Sequence, residues 1–331
     1  MTMTALKTGL GVALTAVLAT TIAACGSPAA ESTGSESTAS SAGPEISTIV
    51  VGVQPFAELA PLHLAINEGI FEKHGLTVEL TESAGGGAGL IPGMVAGDID
   101  VVYSNYVSLI QGASKGLPLQ VIRENDRPGV QAVYVRPDSG ISGPQDLAGK
   151  TIAVNGLGNI MELTARAVLE SYDVTDAKFV EIPPPNMEAA LASGQVDGAW
   201  LVEPFVTIAS GTLGAIPVVS AFEGPTEDLP VAGWAVNTAF AAKNPQTVEA
   251  FVGAMDEAMA LAVADDQAVK DTLLTYTKIP ENIVAKLKPI SFAEASDFSN
   301  LEKLMAIMVD QELIDAPIDL ETFVLDITSR K

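Results

Sequence analysis

Apolar and β-branched residues run without interruption from Ile49 to Val53, the pattern of a strand buried on both faces of a parallel sheet. A helix is then predicted from Pro61 to Gly75, with Gly75 as its C-cap. Leu76, Val78 and Leu80 next alternate with Thr77 and Glu79 as a strand. The series continues as helix 89–95, strand 99–103, helix 106–115 capped by Gly116, and strand 119–122. A second series starts at 151–154 and passes through helix 160–170, strand 178–182, helix 187–192 and strand 196–201, ending near Val219. Such alternation predicts an α/β chain with doubly wound parallel sheets. The last hundred residues read as helical: Asn244 and Pro245 form a cap and first turn, and Val248, Phe251, Val252, Met255, Met259 and Ala262 fall on one stripe.

Two extended segments, 131–135 and 231–236, flank the second series and read as crossings between two lobes. The expected division is 46–134 with 235–331 for a discontinuous first lobe, and 135–234 for the second. An internal repeat supports two equivalent halves. Ala96-Gly97-Asp98-Ile99-Asp100-Val101-Val102-Tyr103 matches Ser193-Gly194-Gln195-Val196-Asp197-Gly198-Ala199-Trp200, each a helix end, a Gly cap, an Asp turn and a strand that ends in an aromatic. Ligands of open α/β sheets bind outside the carboxyl ends of the strands. Tyr103 and Trp200 are therefore expected to face one another across a cleft.

The first 25 residues carry one charge, Lys7, and an apolar run too short and too rich in Gly, Ala and Thr to span a bilayer. They read as a signal peptide, and its end, Ile22-Ala23-Ala24-Cys25-Gly26, resembles a bacterial lipobox. Cys25, the only cysteine in the chain, is the expected lipid attachment site, and a single thiol provides neither an internal disulfide nor a cysteine-based metal cluster. Residues 26–45 are almost wholly small or polar and form an expected flexible tether. The net charge is −24; loss of Lys7 with the leader leaves 16 bases against 41 acids, or −25. Nucleic acid is thereby excluded as a partner, because phosphate neutralisation needs clustered Lys and Arg.

The run Ala60-Pro61-Leu62-His63-Leu64-Ala65-Ile66-Asn67-Glu68-Gly69-Ile70-Phe71-Glu72-Lys73-His74-Gly75-Leu76 and the cluster Gly85-Gly86-Gly87 resemble the nitrate/sulfonate/taurine and thiamine-precursor class of periplasmic binding proteins. Asp146-Leu147-Ala148-Gly149-Lys150-Thr151-Ile152-Ala153-Val154 and Glu203-Pro204 extend the likeness, which covers most of 49–205. The resemblance implies a type II periplasmic-binding-protein fold of two lobes joined by two hinge crossings, closure on a small-molecule solute, and delivery to an ABC permease and its ATPase. The implied address is the extracytoplasmic face of the cell membrane, or the periplasm if an outer membrane is present. The implied molecule is a monomer with no cofactor and no metal, held to the membrane only by its lipid.

Tyr103 and Trp200 are expected to sandwich a flat ligand, since an aromatic face adds about 0.5–1.5 kcal/mol beyond area burial. Glu203, beside Pro204, is expected to accept hydrogen bonds from an amine or aminopyrimidine, or else to serve as a helix N-terminal acid. Gly86 and Gly87, and Asn155 and Asn159 in the second glycine-containing loop, offer backbone N–H groups at strand-to-helix turns. Phe56 and Glu58 follow the first strand, and Asn105 and Asn186 are further polar candidates. His63 reads as a surface or capping residue. Gly112-Ala113-Ser114-Lys115-Gly116 fits the nucleophile-elbow spacing, but Ser114 closes a helix and both histidines precede it, so a Ser-His hydrolase is not supported.

The expected cleft loops hold Phe, Tyr, Trp and Glu but neither Lys nor Arg, whereas a compact anion calls for a guanidinium or ammonium. Arg123 and Arg127 are the cations nearest to the crossings. This balance favours a planar, aminopyrimidine-like thiamine precursor over an alkanesulfonate, taurine or nitrate. A solute-sensing lipoprotein and an exported hydrolase remain readings of another class.

Overall fold

The computed structural model describes residues 43–83, 87–325 and 327; the signal segment, Cys25, most of the tether and Gly86 lie outside them. Ten strands form two five-stranded sheets. The first has the order β2-β1-β3-β10-β4, from β1 (Thr48–Val53), β2 (Thr77–Glu82), β3 (Val101–Asn105), β4 (Leu119–Asp126) and β10 (Ala232–Asn237). The second is β7-β6-β8-β5-β9, from β5 (Ala132–Val135), β6 (Thr151–Val154), β7 (Lys178–Glu181), β8 (Gly198–Leu201) and β9 (Ile216–Ser220).

The sheets share one plan: three parallel strands, then one antiparallel strand, then one more parallel to the first three. The antiparallel member comes from the far side in each case. β10 pairs antiparallel with β3 and β4, and β5 with β8 and β9. The two extended segments read as crossings lie largely within β5 and β10, and the chain passes between sheets at 127–131 and 221–231. This is the periplasmic-binding-protein fold, with α/β lobes each built on a doubly wound sheet.

The repeat seen in the sequence is structural. Gly97 and Gly194 close the helices Ile91–Ala96 and Pro184–Ser193 at φ 85° and 72°, a left-handed conformation that disfavours a side chain. Asp100 Oδ2 accepts the Val50 amide at 2.8 Å and Asp197 Oδ2 accepts the Thr151 amide at 2.9 Å. Each aspartate accepts a backbone N–H of a neighbouring parallel strand, Val50 within β1 and Thr151 at the start of β6.

The helix predicted from Pro61 to Gly75 is interrupted: Ala60–Asn67 and Ile70–Lys73 are separated by Gly69 at φ 65°. One apolar cluster joins the lobes. It includes Val102 and Ala235 of the first sheet, Val133 and Ile152 of the second, and Leu301, Leu304, Met305 and Met308 of the helix Leu301–Asp310. That helix touches both Tyr106–Ser114 and Ile160–Ser171. Among the described residues no helix is long and apolar enough to cross a membrane.

Candidate functional site

The carboxyl ends of β1, β3 and β4 lie at one edge of the first sheet, because these strands run parallel. That edge is unusually polar and buried. Glu58, in the turn Ala57–Leu59 after β1, is 6% exposed; Asp126, the last residue of β4, is 2% exposed. Tyr103 Oη donates to Asp126 Oδ1 at 2.7 Å, and Gln54 Nε2 donates to the Tyr103 carbonyl at 3.2 Å. Asn125 Nδ2 donates to the Glu58 carbonyl at 2.9 Å, while its Oδ1 accepts Trp234 Nε1 at 2.9 Å. The Glu58 carboxylate is different: its Oε2 is buried and has no hydrogen-bond partner among the described residues. Ser104 Oγ and Tyr106 Oη share that condition.

Burial and the nearby charge of Asp126 push Glu58 up to about 8, with Glu203 adding to the effect. Burial pushes Asp126 up to about 7, against the opposing hydrogen bonds from Tyr103 and Asn125. Withdrawal from water penalises the charged form of each acid. Tyr103 and Tyr276 are raised by burial as well. His63 stacks on Tyr276 with ring centroids 3.6 Å apart, and burial lowers it to about 4. It is a packed neutral imidazole rather than the surface residue expected.

Trp200 and Tyr103 do not form the expected sandwich. Side chains alternate across a strand, so Tyr103 shares a face with Val101 and packs at 5.5 Å against Trp234 of β10, within the first-sheet core. Trp200 is 1% exposed in the cluster that joins the lobes, and its Nε1 donates to Thr164 Oγ1 at 3.2 Å. Strand-end position says which edge a residue is near; alternation says which face it enters. Tyr103 reaches the polar edge through its hydroxyl alone.

Glu203, at the carboxyl end of β8, is 2% exposed and fully engaged. Its Oε2 accepts the Thr207 amide at 3.1 Å, and its Oε1 accepts Thr207 Oγ1 at 2.9 Å and the Lys288 amide at 3.0 Å. The Lys288 segment then runs beside β4, where Phe292 bridges to Asp126 and the Ala293 amide donates to the Asn125 carbonyl at 2.9 Å. Glu203 therefore fastens the second lobe to the chain lining the first. Glu203→Ala strands two amides and a hydroxyl and is expected to cost about 2–3 kcal/mol. Glu203→Gln, which keeps an acceptor, is expected to restore most of it; melting temperatures and hydrogen exchange at the Lys288 amide check this.

The remaining expected residues are largely turn chemistry. Asn105 caps the helix Tyr106–Ser114 by accepting the Ser108 amide, and Asn159 caps Ile160–Ser171 by accepting the Met161 amide, both at 3.0 Å. Asn159 Nδ2 donates to Asn155 Oδ1 at 2.5 Å, and the Gly158 amide donates to Glu162 at 2.7 Å. The backbone N–H groups that this loop was expected to offer are thus partly taken by its own side chains. Gly87 is required by close approach, since a Cβ there would come 2.3 Å from Ser104 Oγ. Phe56 is half-buried, with its carbonyl accepting Tyr276 Oη at 2.9 Å, and Asn186 is exposed on the helix Pro184–Ser193. Ser114 ends its helix, its hydroxyl donating to the Gln111 carbonyl.

Arg123 and Arg127 are committed elsewhere. Arg123, 1% exposed, pairs with Asp256 at 2.8 Å and donates to the carbonyls of Glu124, Ala293 and Glu294. Arg127 pairs with Glu124 at 2.8 Å. A recess of about 260 Å³ between the helix Ile160–Ser171 and the end of the helix Leu301–Asp310 is lined by Gly158, Glu162, Leu163, Arg166 and residues 310–313. Its arginine is likewise paired, with Glu162 at 2.5 Å.

Two lobes, each built on such a sheet, are the architecture of the class of periplasmic binding folds. Residues 57–269 match the family described as NMT1/THI5 like, and the chain belongs to that family. It is 28% identical over 261 residues to the taurine-binding periplasmic protein of Escherichia coli K12, covering 77% of this chain and 76% of that one. It is 25% identical over 295 residues to a putative aliphatic sulfonates-binding protein of Bacillus subtilis 168, covering 85% and 86%. The fold superposes on the alkanesulfonate-binding protein SsuA of Xanthomonas axonopodis pv. citri bound to MOPS with a TM-score of 0.72 at 19% identity, covering 85% of this chain and 99% of that one.

Proposed function

We propose that this protein is the extracytoplasmic solute-binding component of an ABC importer, anchored by a lipid on Cys25, and that it closes two lobes on a small organic nitrogen or sulfur compound. It acts as a monomer, catalyses no reaction, and hands the solute to a permease and its ATPase. The named relatives are binding proteins, which supports the transport role. The observation that carries the site is the buried edge at Glu58, Tyr103, Ser104 and Asp126, where Glu58 Oε2 and Ser104 Oγ have no hydrogen-bond partner among the described residues.

An aminopyrimidine-like thiamine precursor suits the carboxylates as acceptors of its N–H groups, although it loses the aromatic sandwich. The relatives' names favour a second reading, taurine or an aliphatic sulfonate. Both are tested by melting the purified protein against aminopyrimidines, taurine, alkanesulfonates and nitrate. A bound solute at about a thousand times its dissociation constant stabilises by roughly 4 kcal/mol, or several degrees. A panel that leaves the melting temperature unmoved, or a member that is chemically converted, contradicts the proposal.

A further inference from the structure

We infer that Glu58 and Asp126 form a recognition subsite for a basic nitrogen, so that the solute presents an ammonium, an amidinium or a protonated amino-heterocycle to this pair of carboxylates. The inference rests on the solute-binding reading and names the chemical class that reading leaves open.

The two acids sit at the strand edge where α/β sheets bind ligands, at the ends of two parallel strands rather than in one loop. Neither forms an ion pair among the described residues, because the nearby arginines are taken by Asp256 and Glu124. Two structural carboxylates are fully engaged, whereas Glu124, paired with Arg127, also keeps a buried Oε1 without a partner among the described residues. Glu203 collects three donors, and Glu45 accepts the amides of Gln246 and Thr247 and the Thr247 hydroxyl. Glu58, at 6% exposure, leaves Oε2 with none. Tyr106 Oη is also fully buried and unpartnered among the described residues, and the charges that act on it are Glu124 first and Asp126 second.

Two buried acids in mutual repulsion are costly unless a proton or a cation neutralises them. The groups that face Glu58 cannot do this. They are Asp126 and Tyr103 from the first sheet, Tyr276 from the helix Asp266–Tyr276, and Glu203 from the second lobe, all acidic or phenolic. Among the described residues no trio of His, Cys, Asp or Glu is grouped to hold a metal ion, and the charge assigned to the pair is an organic cation. A protonated nitrogen supplies both the charge and the N–H donors that Oε2 lacks. It displaces the protons that burial holds on the pair, and affinity therefore rises with pH through the neutral range.

The test uses matched probes that differ by a nitrogen: taurine against ethanesulfonate, and 4-aminopyrimidine against pyrimidine. Dissociation constants are measured from pH 6 to 8.5 on the wild type, Glu58→Gln and Asp126→Asn. Binding confined to the amine-bearing member of a pair and weakened about 10- to 100-fold by either variant is the expected result, with tightening as pH rises expected for taurine, whose aliphatic ammonium stays protonated over this range. Both variants are neutral isosteres, and their melting curves check folding. Equal binding of ethanesulfonate or pyrimidine overturns the subsite while leaving solute binding intact; silence of both series overturns both. Full affinity in Glu58→Gln also overturns the assignment.

Discussion

Trp200→Ala is expected to lower stability by about 3–5 kcal/mol while leaving the solute affinity of the folded molecules unchanged. The indole is 1% exposed and belongs to the apolar cluster that includes strands of both sheets and the helix Leu301–Asp310. Its removal opens a cavity where the lobes are joined, and at roughly 2–4 °C per kcal/mol for a chain of this size the melting point falls by about 6–20 °C. Trp200→Phe fills most of that space. It gives up the bond to Thr164, but that hydroxyl still donates to the Ile160 carbonyl at 2.8 Å, so about 1–2 kcal/mol is the expected loss. Thermal unfolding with binding measured well below the transition separates the two roles. A large affinity loss at unchanged stability would place the ring against the solute instead.

The solute-free protein is expected to weaken steadily as pH rises from about 4.5 to 8. Glu58 has a folded value of about 8 against an ordinary 4.5, and Asp126 and Glu124 are each pushed up to about 7. On raising the pH the unfolded chain releases these protons first, while the folded protein keeps them. The stability they confer is therefore full below the unfolded values and is lost as pH passes through the folded ones. A tenfold difference in acidity between the folded and unfolded forms of a group corresponds to about 1.36 kcal/mol, so the summed loss is on the order of several kcal/mol. Glu58→Gln removes a charge with no partner on Oε2 and is expected to raise stability at pH 8 by about 1–3 kcal/mol. Denaturant midpoints across pH 5–9 check both statements; a flat profile would mean that the acids are neutralised by pairing.

Much of the scaffold is readable from hydrophobic period. Thr151–Val154 is a strand over the range expected, and the Gly97/Gly194 and Asp100/Asp197 repeat locates equivalent halves. The site was harder to read because its residues break the rules that find strands. The strand expected over 119–122 stops short of Arg123-Glu124-Asn125-Asp126, yet β4 continues through it. β10 pairs along its length, and the segment near Ala293 covers it while accepting the Arg123 guanidinium. An unbroken polar run directly after an apolar strand was the available signal. Glu58 and Glu203 were recognisable from their positions after strands, but their difference was not. Only tertiary contacts give Glu203 three donors and leave Glu58 Oε2 bare. Likewise Tyr103 and Trp200 were expected at strand ends, but β3 runs on to Asn105 and β8 to Leu201, and their faces follow from neighbours distant in sequence.

The most direct measurement is the number of protons exchanged when an aliphatic-amine probe, already protonated at neutral pH, binds the purified protein. Calorimetry at pH 7 in two buffers of different ionisation enthalpy reads it. A buried carboxylate pair that receives a cation predicts net proton release from the wild type and a smaller release from Glu58→Gln. Binding with no proton change, or with uptake, would contradict the assignment of Glu58 and Asp126 as the groups that hold the solute.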